Sequence, residues 1–198
     1  MSKEFKAKRK GTKVTTGVVR LSYANLLEPK AIQEGQEAKF SVSLIISKDD
    51  KDTLKMVKEA IAEATELGLS KFGGKKPAGL RTPVRDGDEE RPDDETYANS
   101  YFINANSKQK PKILEFVKFT PEGKVVAAKE PLTSSDDVYS GMYACVSVNF
   151  FAYNTGGNKG IGAGLGNVLK VDDGERLGGG SSAEDDFDLD DNDDDFEF

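Results

Sequence analysis

Residues 138–153, VYSGMYACVSVNFFAY, place rings and small polar side chains on one face of an alternating segment. Val138, Met142, Ala144, Val146, Val148 and Phe150 share the face expected to pack inward. Tyr139, Tyr143, Cys145, Ser147, Asn149, Phe151 and Tyr153 share the other. Aromatics mixed with Ser and Asn suit a platform on which unpaired bases stack, at about 1–3 kcal/mol per base and without sequence readout. The same rings could instead cover a second small core beneath a long loop, or meet a second copy of the chain. Elsewhere cations neighbour rings: Arg20 near Tyr23, Lys112 and Lys118 around Phe116, and Tyr101 and Phe102 just before Lys108 and Lys110. Cations for phosphates and rings for bases are what a single-strand groove needs. Lys75, Lys76 and Arg81 in a basic loop, and Lys159 in the glycine-rich GGNKGIGAGLG, are further candidates for phosphate contact.

Other chemistries find little support. The chain has no histidine, which removes the commonest general base and metal ligand, and its single Cys145 makes neither a disulfide framework nor a zinc site. Lys159 is followed by Gly160 rather than Ser or Thr, so the glycine-rich stretch is no phosphate-binding P-loop. The acidic RDGDEERPDDE lacks the spacing and terminal Glu of a calcium loop and reads as a solvated loop. No catalytic residue, metal or cofactor is expected. No apolar stretch reaches the roughly 18–20 residues of a membrane span, and the basic N-terminus lacks the apolar segment of a secretion signal. A cytosolic protein with no membrane partner is expected.

The charge is unevenly spread. All 28 Lys and Arg precede residue 184, while ten of the 35 acidic residues fall in residues 184–198, EDDFDLDDNDDDFEF. The chain is net −7, yet residues 1–183 hold 28 basic against 25 acidic side chains, net +3. So dense a run of like charge cannot bury enough surface to order itself, so the tail beyond the Gly/Ser hinge is expected to be disordered. A mildly basic body tied to a polyanion implies a nucleic-acid binder that carries its own competitor.

These residues need a scaffold, and the pattern supplies one of strands. TGVVRLSY alternates as a half-buried strand, residues 25–36 read as a loop, and Phe40, Val42, Leu44 and Ile46 mark a second strand. Leu54, Val57, Ile61 and Ala64 form the stripe of one helix over residues 50–67, with acids at its start and Gly68 at its end. Residues 70–99 read as a long irregular loop. Strands follow at 101–105, 112–119, 125–128, 138–153 and 167–171, with residues 156–166 as a glycine loop between the last two. Without βαβ alternation, a mainly β, antiparallel OB-fold-like barrel with one main helix is the expected fold. The organisation expected is a basic N-terminal arm (1–13), frayed or touching phosphate, a barrel domain (14–177), and a flexible hinge with the acidic tail (178–198).

Several blocks taken in order resemble a known family: RLSYANLLEPKA, KFSVSLIISKDD, PVRDGDEERPDDETYANSYFINANS, DDVYSGMYACVSVNFFAYNTGGNKGIGAGLGNVLKVDDGERLGG and the acidic tail. It is the phage-encoded single-stranded-DNA-binding proteins with an OB-fold, long catalogued as a domain of unknown function. The resemblance spans about residues 14–179. It implies binding of single-stranded DNA without strong sequence preference, during phage replication or recombination in the bacterial cytoplasm. The tail resembles those of phage and bacterial single-strand binders. Its last residues, Asp194, Asp195, Phe196, Glu197 and Phe198, are expected to dock on replication proteins such as a polymerase or helicase once DNA displaces them from the groove. Duplex DNA is a weaker candidate ligand, and the composition leaves monomer and homodimer open. Two rivals are weighed. An acidic-tailed chaperone or DNA mimic requires an acidic body, whereas this one is basic; a carboxylate-metal nuclease requires acids on strands, whereas these lie in loops and the tail.

Overall fold

Period-two alternation builds most of the sheet in the computed structural model, which describes residues 4–31 and 33–178. Its strands are β1 (Lys8–Lys10), β2 (Lys13–Thr15), β3 (Val19–Lys30), β4 (Lys39–Ser47), β5 (Val84–Asp86), β6 (Ser100–Ser107), β7 (Ile113–Phe119), β8 (Val125–Ala127), β9 (Tyr143–Thr155) and β10 (Asn158–Asp172). Two helices, α1 (Lys51–Leu67) and the single-turn α2 (Gly87–Glu90), join them, with 3-10 turns at Leu69–Phe72 and Glu95–Tyr97. The acidic tail proposed from sequence lies outside the described residues.

The strands close on themselves. β3 pairs with β4, β4 with β6, β6 with β10, β10 with β9, and β9 returns to β3. This is an OB-fold-like barrel of five strands. Two pairings depart from the antiparallel expectation, because β10 runs parallel to β6 and also to β7. The inward set includes Leu21, Val42, Leu44, Ile46, Ile103, Val146, Val148, Phe150, Ile161 and Ala163, all buried in one core.

The glycine loop expected at 156–166 is instead most of β10. Its glycines fall at 160, 162, 164 and 166, and the residues between them, Ile161, Ala163 and Leu165, are buried. That is strand alternation with glycine on the outer face. Two other boundaries move. β3 continues to Lys30 through residues read as loop, after a register break at Tyr23 (φ 46°). β9 begins only at Tyr143, because residues 138–142 form a turn with Gly141 at φ 112°. In the stretch read as the basic arm, Lys8–Lys10 pairs antiparallel with β2. Before it, Phe5 joins Phe116 and Phe119 in a trio of rings 4.8–4.9 Å apart.

Helix α1 follows its sequence signals. The Asp50 carboxylate accepts from the Thr53 amide (3.0 Å), satisfying an otherwise orphaned helix N–H. Val57, Ala60 and Ala64 are buried, while Arg9 of β1 reaches Glu59 (3.3 Å) and Glu63 (2.6 Å) on the exposed side. At the far end Gly68 lies so close to β9 that a β-carbon there would overlap the Ala152 methyl. Replacing Gly68 with Ala should therefore cost about 1–3 kcal/mol through overpacking. Adding Ala152→Gly should recover part of it, read as the urea midpoint. Unchanged stability in Gly68→Ala would show that the helix end is free to shift.

Candidate nucleic-acid interface

The outer faces of β3, β4 and β6 carry short polar side chains in register. Ser22 pairs with Ser43 and Ser43 with Asn104, while Asn25 pairs with Ser41 and Ser41 with Asn106. Inward neighbours alternate with them, so these side chains necessarily point outward. Three hollows that share residues run across this face. The first holds Arg20, Ser22, Tyr23 and Asn25, the second Tyr23, Ser43, Arg91 and Asn104, and the third Lys39, Ser41 and Asn106; Lys30 borders all three. The Ser43 hydroxyl is buried at the floor and has no hydrogen-bond partner. A buried hydroxyl left unpaired costs free energy, and a ligand atom in the hollow would remove that cost.

One ring dominates the groove. Tyr23 is 61% exposed, turned outward by the register break where β3 takes a positive φ. Arg91 holds it, its guanidinium over the ring 5.2 Å from the centre and its Nη1 donating to the Tyr23 hydroxyl (3.2 Å). The same guanidinium lies 4.7 Å from the Tyr97 ring and 5.3 Å from that of Phe102. Tyr97, Phe102 and Ile45 form a small separate core where residues 87–99 fold over the barrel. That cover fixes Arg91, and Arg91, lying over the Tyr23 ring and bonded to its hydroxyl, holds it while much of the ring stays exposed.

Comparison with known proteins gives the fold a context. A family model described as "Enterobacter phage Enc34, ssDNA-binding protein" matches residues 12–197. The chain belongs to this family. Protein p50 of Acyrthosiphon pisum secondary endosymbiont phage 1 is 28% identical over 187 residues, covering 89% of this chain and 92% of that protein. The single-stranded DNA-binding protein of bacteriophage Enc34, solved in complex with ssDNA, superposes with a TM-score of 0.69 at 25% identity, covering 90% of this chain and all of the other. The single-stranded DNA-binding protein gp2.5 of bacteriophage T7 shares the fold, with a TM-score of 0.53 at 15% identity over 97% of this chain and all of its own.

Within this family member the residues singled out from sequence fall into separate groups. Arg20, Tyr23 and Tyr143 lie at one end of β3 and β9, where the Arg20 guanidinium sits 5.7 Å from the Tyr143 ring and donates to the carbonyls of Gly141 (3.3 Å) and Glu175 (2.9 Å). Tyr139 is half-buried in the same region; its hydroxyl donates to Asp173 (2.9 Å) and accepts from the Gly174 amide (3.1 Å). Its ring is flanked by Lys170 and Arg176, which ties it to the segment after β10. Phe151, Tyr153, Arg81 and Lys159 meet at the β9–β10 hairpin, where Phe151 faces Gly162, Tyr153 faces Gly160, and Arg81 bridges to Gly160. The Lys159 ammonium points at the Phe72 carbonyl (3.4 Å). Lys75 and Lys76 are exposed on the preceding loop. Tyr101 is half-buried with the Lys48 ammonium 5.0 Å from its ring. Lys112 and Lys118 are exposed around β7, and Phe116 belongs to the trio with Phe5. Sequence reasoning passed over Asn25, Lys30, Ser41, Ser43, Asn104, Asn106 and Arg91. The Ser and Asn alternation in β4 and β6 was the only signal for Ser41, Ser43, Asn104 and Asn106.

The cover over this face is latched. Lys48 Nζ donates to both carboxylate oxygens of Asp86 (2.8 and 2.9 Å) and to Asp88 (2.7 Å), and Asp88 also accepts from the Asn99 amide (2.9 Å). The hydrogen bond from Lys48 holds the carboxyls of Asp86 and Asp88 below the usual carboxylate range, and the same bonds raise the Lys48 ammonium above its ordinary value. Because both acids are depressed by folding, the latch is whole above the unfolded carboxylate range near pH 4 and is lost as pH falls through the lower folded values. Hydrogen exchange at the Asn99 amide, corrected for intrinsic rate, should stay slow from neutral pH to about pH 4 and quicken below it. Lys48→Met should bring fast exchange at pH 7 as well. Equal protection in that variant would mean the latch does not hold the cover.

Proposed function

We infer that this protein binds single-stranded DNA, largely without sequence preference, in the groove across the outer faces of β3, β4 and β6. The observation that carries the reading is the exposed Tyr23 ring, held by Arg91 beside a buried and unpartnered Ser43 hydroxyl. Membership of the family supports it, as does the relative solved with ssDNA. OB barrels generally take oligonucleotides on the face of their second and third strands, which correspond to β4 and β6 here. A base stacks on Tyr23, amides and hydroxyls of the floor contact base edges and sugars, and Lys30, Lys39 and Arg91 neutralise phosphates. None of these contacts needs a particular base, so the protein coats and protects whatever unpaired strand it meets during phage DNA replication or recombination.

The tail gives this binding a control. Residues 184–198 carry ten acidic side chains and no basic one. Tethered by a short hinge, they act at an effective concentration on the order of millimolar, enough to compete weakly with DNA for a cationic groove and to lose to a long strand. Once displaced, Phe196 and Phe198 are free to anchor replication proteins such as a polymerase or helicase. The coupling is reciprocal, so a partner that holds the tail raises DNA affinity.

Two measurements test this. Tyr23→Ala should weaken binding of an unstructured oligonucleotide about ten-fold, the loss of one stacked base, with the salt dependence unchanged. Lys30→Gln should instead flatten the salt dependence by about 0.7 in log–log slope. Wild-type affinity in Tyr23→Ala would sink the groove. Separately, deleting residues 184–198 should raise affinity for single strands at low salt and abolish capture of replication proteins. If neither changes, the tail serves solubility alone.

A further inference from the structure

The groove does not end at β6. The ladder register carries its outward row around the barrel: Asn25 pairs with Ser41, Ser41 with Asn106, Asn106 with Gly164, Gly164 with Asn149, Asn149 with Lys13, and Lys13 with Lys10. Paired residues in a sheet point the same way, and the neighbours of each member along its own strand on β4, β9 and β10 are inward core residues, as is Ala105 beside Asn106 on β6. We propose that the bound strand follows this row beyond the groove, over the glycine-lined face of β10 and β9, to the lysines of the β1–β2 hairpin, with Phe151 as its second stacking ring. The proposal rests on the reading of the groove given above.

Several independent features support the path. At about 4.8 Å between neighbouring strands, six steps make a track of about 29 Å, long enough for several nucleotides in one OB-fold site. Its members are amides, a hydroxyl, a glycine and two lysines, with no acid among them. Lys30 and Lys39, paired beside its first steps, and Lys8, paired with Thr15 beside its last, make no ion pair among the described residues. Positive charge therefore stands at both ends of a polar, uncharged middle, which suits a polyanion lying lengthwise.

The middle is shaped for stacking. Phe151 stands opposite Gly162, next to the Gly164–Asn149 step, and is 46% exposed. A β-carbon at 162 would come within 2.5 Å of the ring, so glycine is what lets Phe151 lie flat against β10 with one face open. The Thr12 hydroxyl donates to the Asn149 side-chain oxygen (3.0 Å), which leaves the amide nitrogen to donate outward. The buried Ser43 hydroxyl without a partner stands one row away, in the part of the track that is already hollow.

The test uses the full chain and fluorescence anisotropy with oligothymidylates of about 5 and about 15 nucleotides, the two ends of the usual OB-fold range. The triple variant Phe151→Ala, Lys10→Gln, Lys13→Gln changes only exposed side chains, and its melting temperature checks that the fold is kept. It should bind the short oligonucleotide as the parent does, yet bind the long one at least ten-fold more weakly, with a salt slope smaller by about 1.4. Phe151→Tyr should retain parental affinity for both. Parental binding of the long oligonucleotide by the triple variant would overturn the extended track and leave the groove standing. If Tyr23→Ala weakens neither length, the groove reading fails, and the continuous track fails with it.

Discussion

Barrel closure depends on β10, which must pair with β9 along one edge and with β6 and β7 along the other. A strand held on both edges cannot slip by one residue without turning Ile161, Ala163 and Leu165 out to water and its glycines into the core. The register is therefore fixed by burial. Glycine weakens strands in general, having no side chain to pack and more freedom to lose on folding. Here the weakness is offset from outside, since Phe151 and Tyr153 lie over the backbone of Gly162 and Gly160. One arrangement thus settles both the core and the outer surface.

Much of this was legible in the sequence. The Phe40, Val42, Leu44 and Ile46 alternation placed β4 correctly because each inward residue is large and apolar, and the Leu54 stripe placed α1 for the same reason. The glycine segment misled because glycine normally signals a loop. The deciding signal was the residue between each pair of glycines, apolar in every case. Tyr23 was singled out for its neighbour Arg20, but its actual clamp is Arg91, 68 residues away. No local pattern encodes such a contact. The small core of Ile45, Tyr97 and Phe102 was equally hidden, because Phe102 sits on the outward parity of β6 and is buried only by a cover from another part of the chain. Phe116, which its flanking lysines suggested as a stacking ring, also packs against Phe5, from a stretch read as a basic arm, and that contact has no local signal.

The cover over β4 and β6 divides labour between rigid and exposed parts. Residues 87–99 bury Tyr97 and Phe102, tie down through Lys48, Asp86 and Asp88, and present Arg91 to the groove. An aromatic ring gives a base contact at low entropic cost only if it is already held in place. Tyr23 would otherwise turn freely on an irregular stretch of strand, and ordering it on binding would consume part of the stacking energy. On the reading proposed above the clamp and the base would approach Tyr23 from different sides, so the two would not compete. A guanidinium over three rings also keeps its charge close to the groove, where a phosphate can share it.

The electrostatic balance points the same way. A body of net +3 is too weakly charged to hold a polyanion by bulk attraction, so affinity depends on where its cations stand. Many are committed elsewhere: Arg9 to Glu59 and Glu63, Lys48 to Asp86 and Asp88, Arg85 to Glu90, Lys108 to Glu37, and Lys170 to Asp173. Those ion pairs remove both basic and acidic charge from the reckoning, and leave Lys30, Lys39 and the lysines of the β1–β2 hairpin without an ion pair among the described residues. Glu37 lines the third hollow, and its pairing with Lys108 (2.9 Å) keeps its carboxyl below the usual range and its charge occupied, while Asp94, Glu95 and Glu175 line the first. A surface that is nearly neutral in total can in this way present cations at chosen places, and on the reading proposed above a few placed lysines and held rings, rather than net charge, set the affinity.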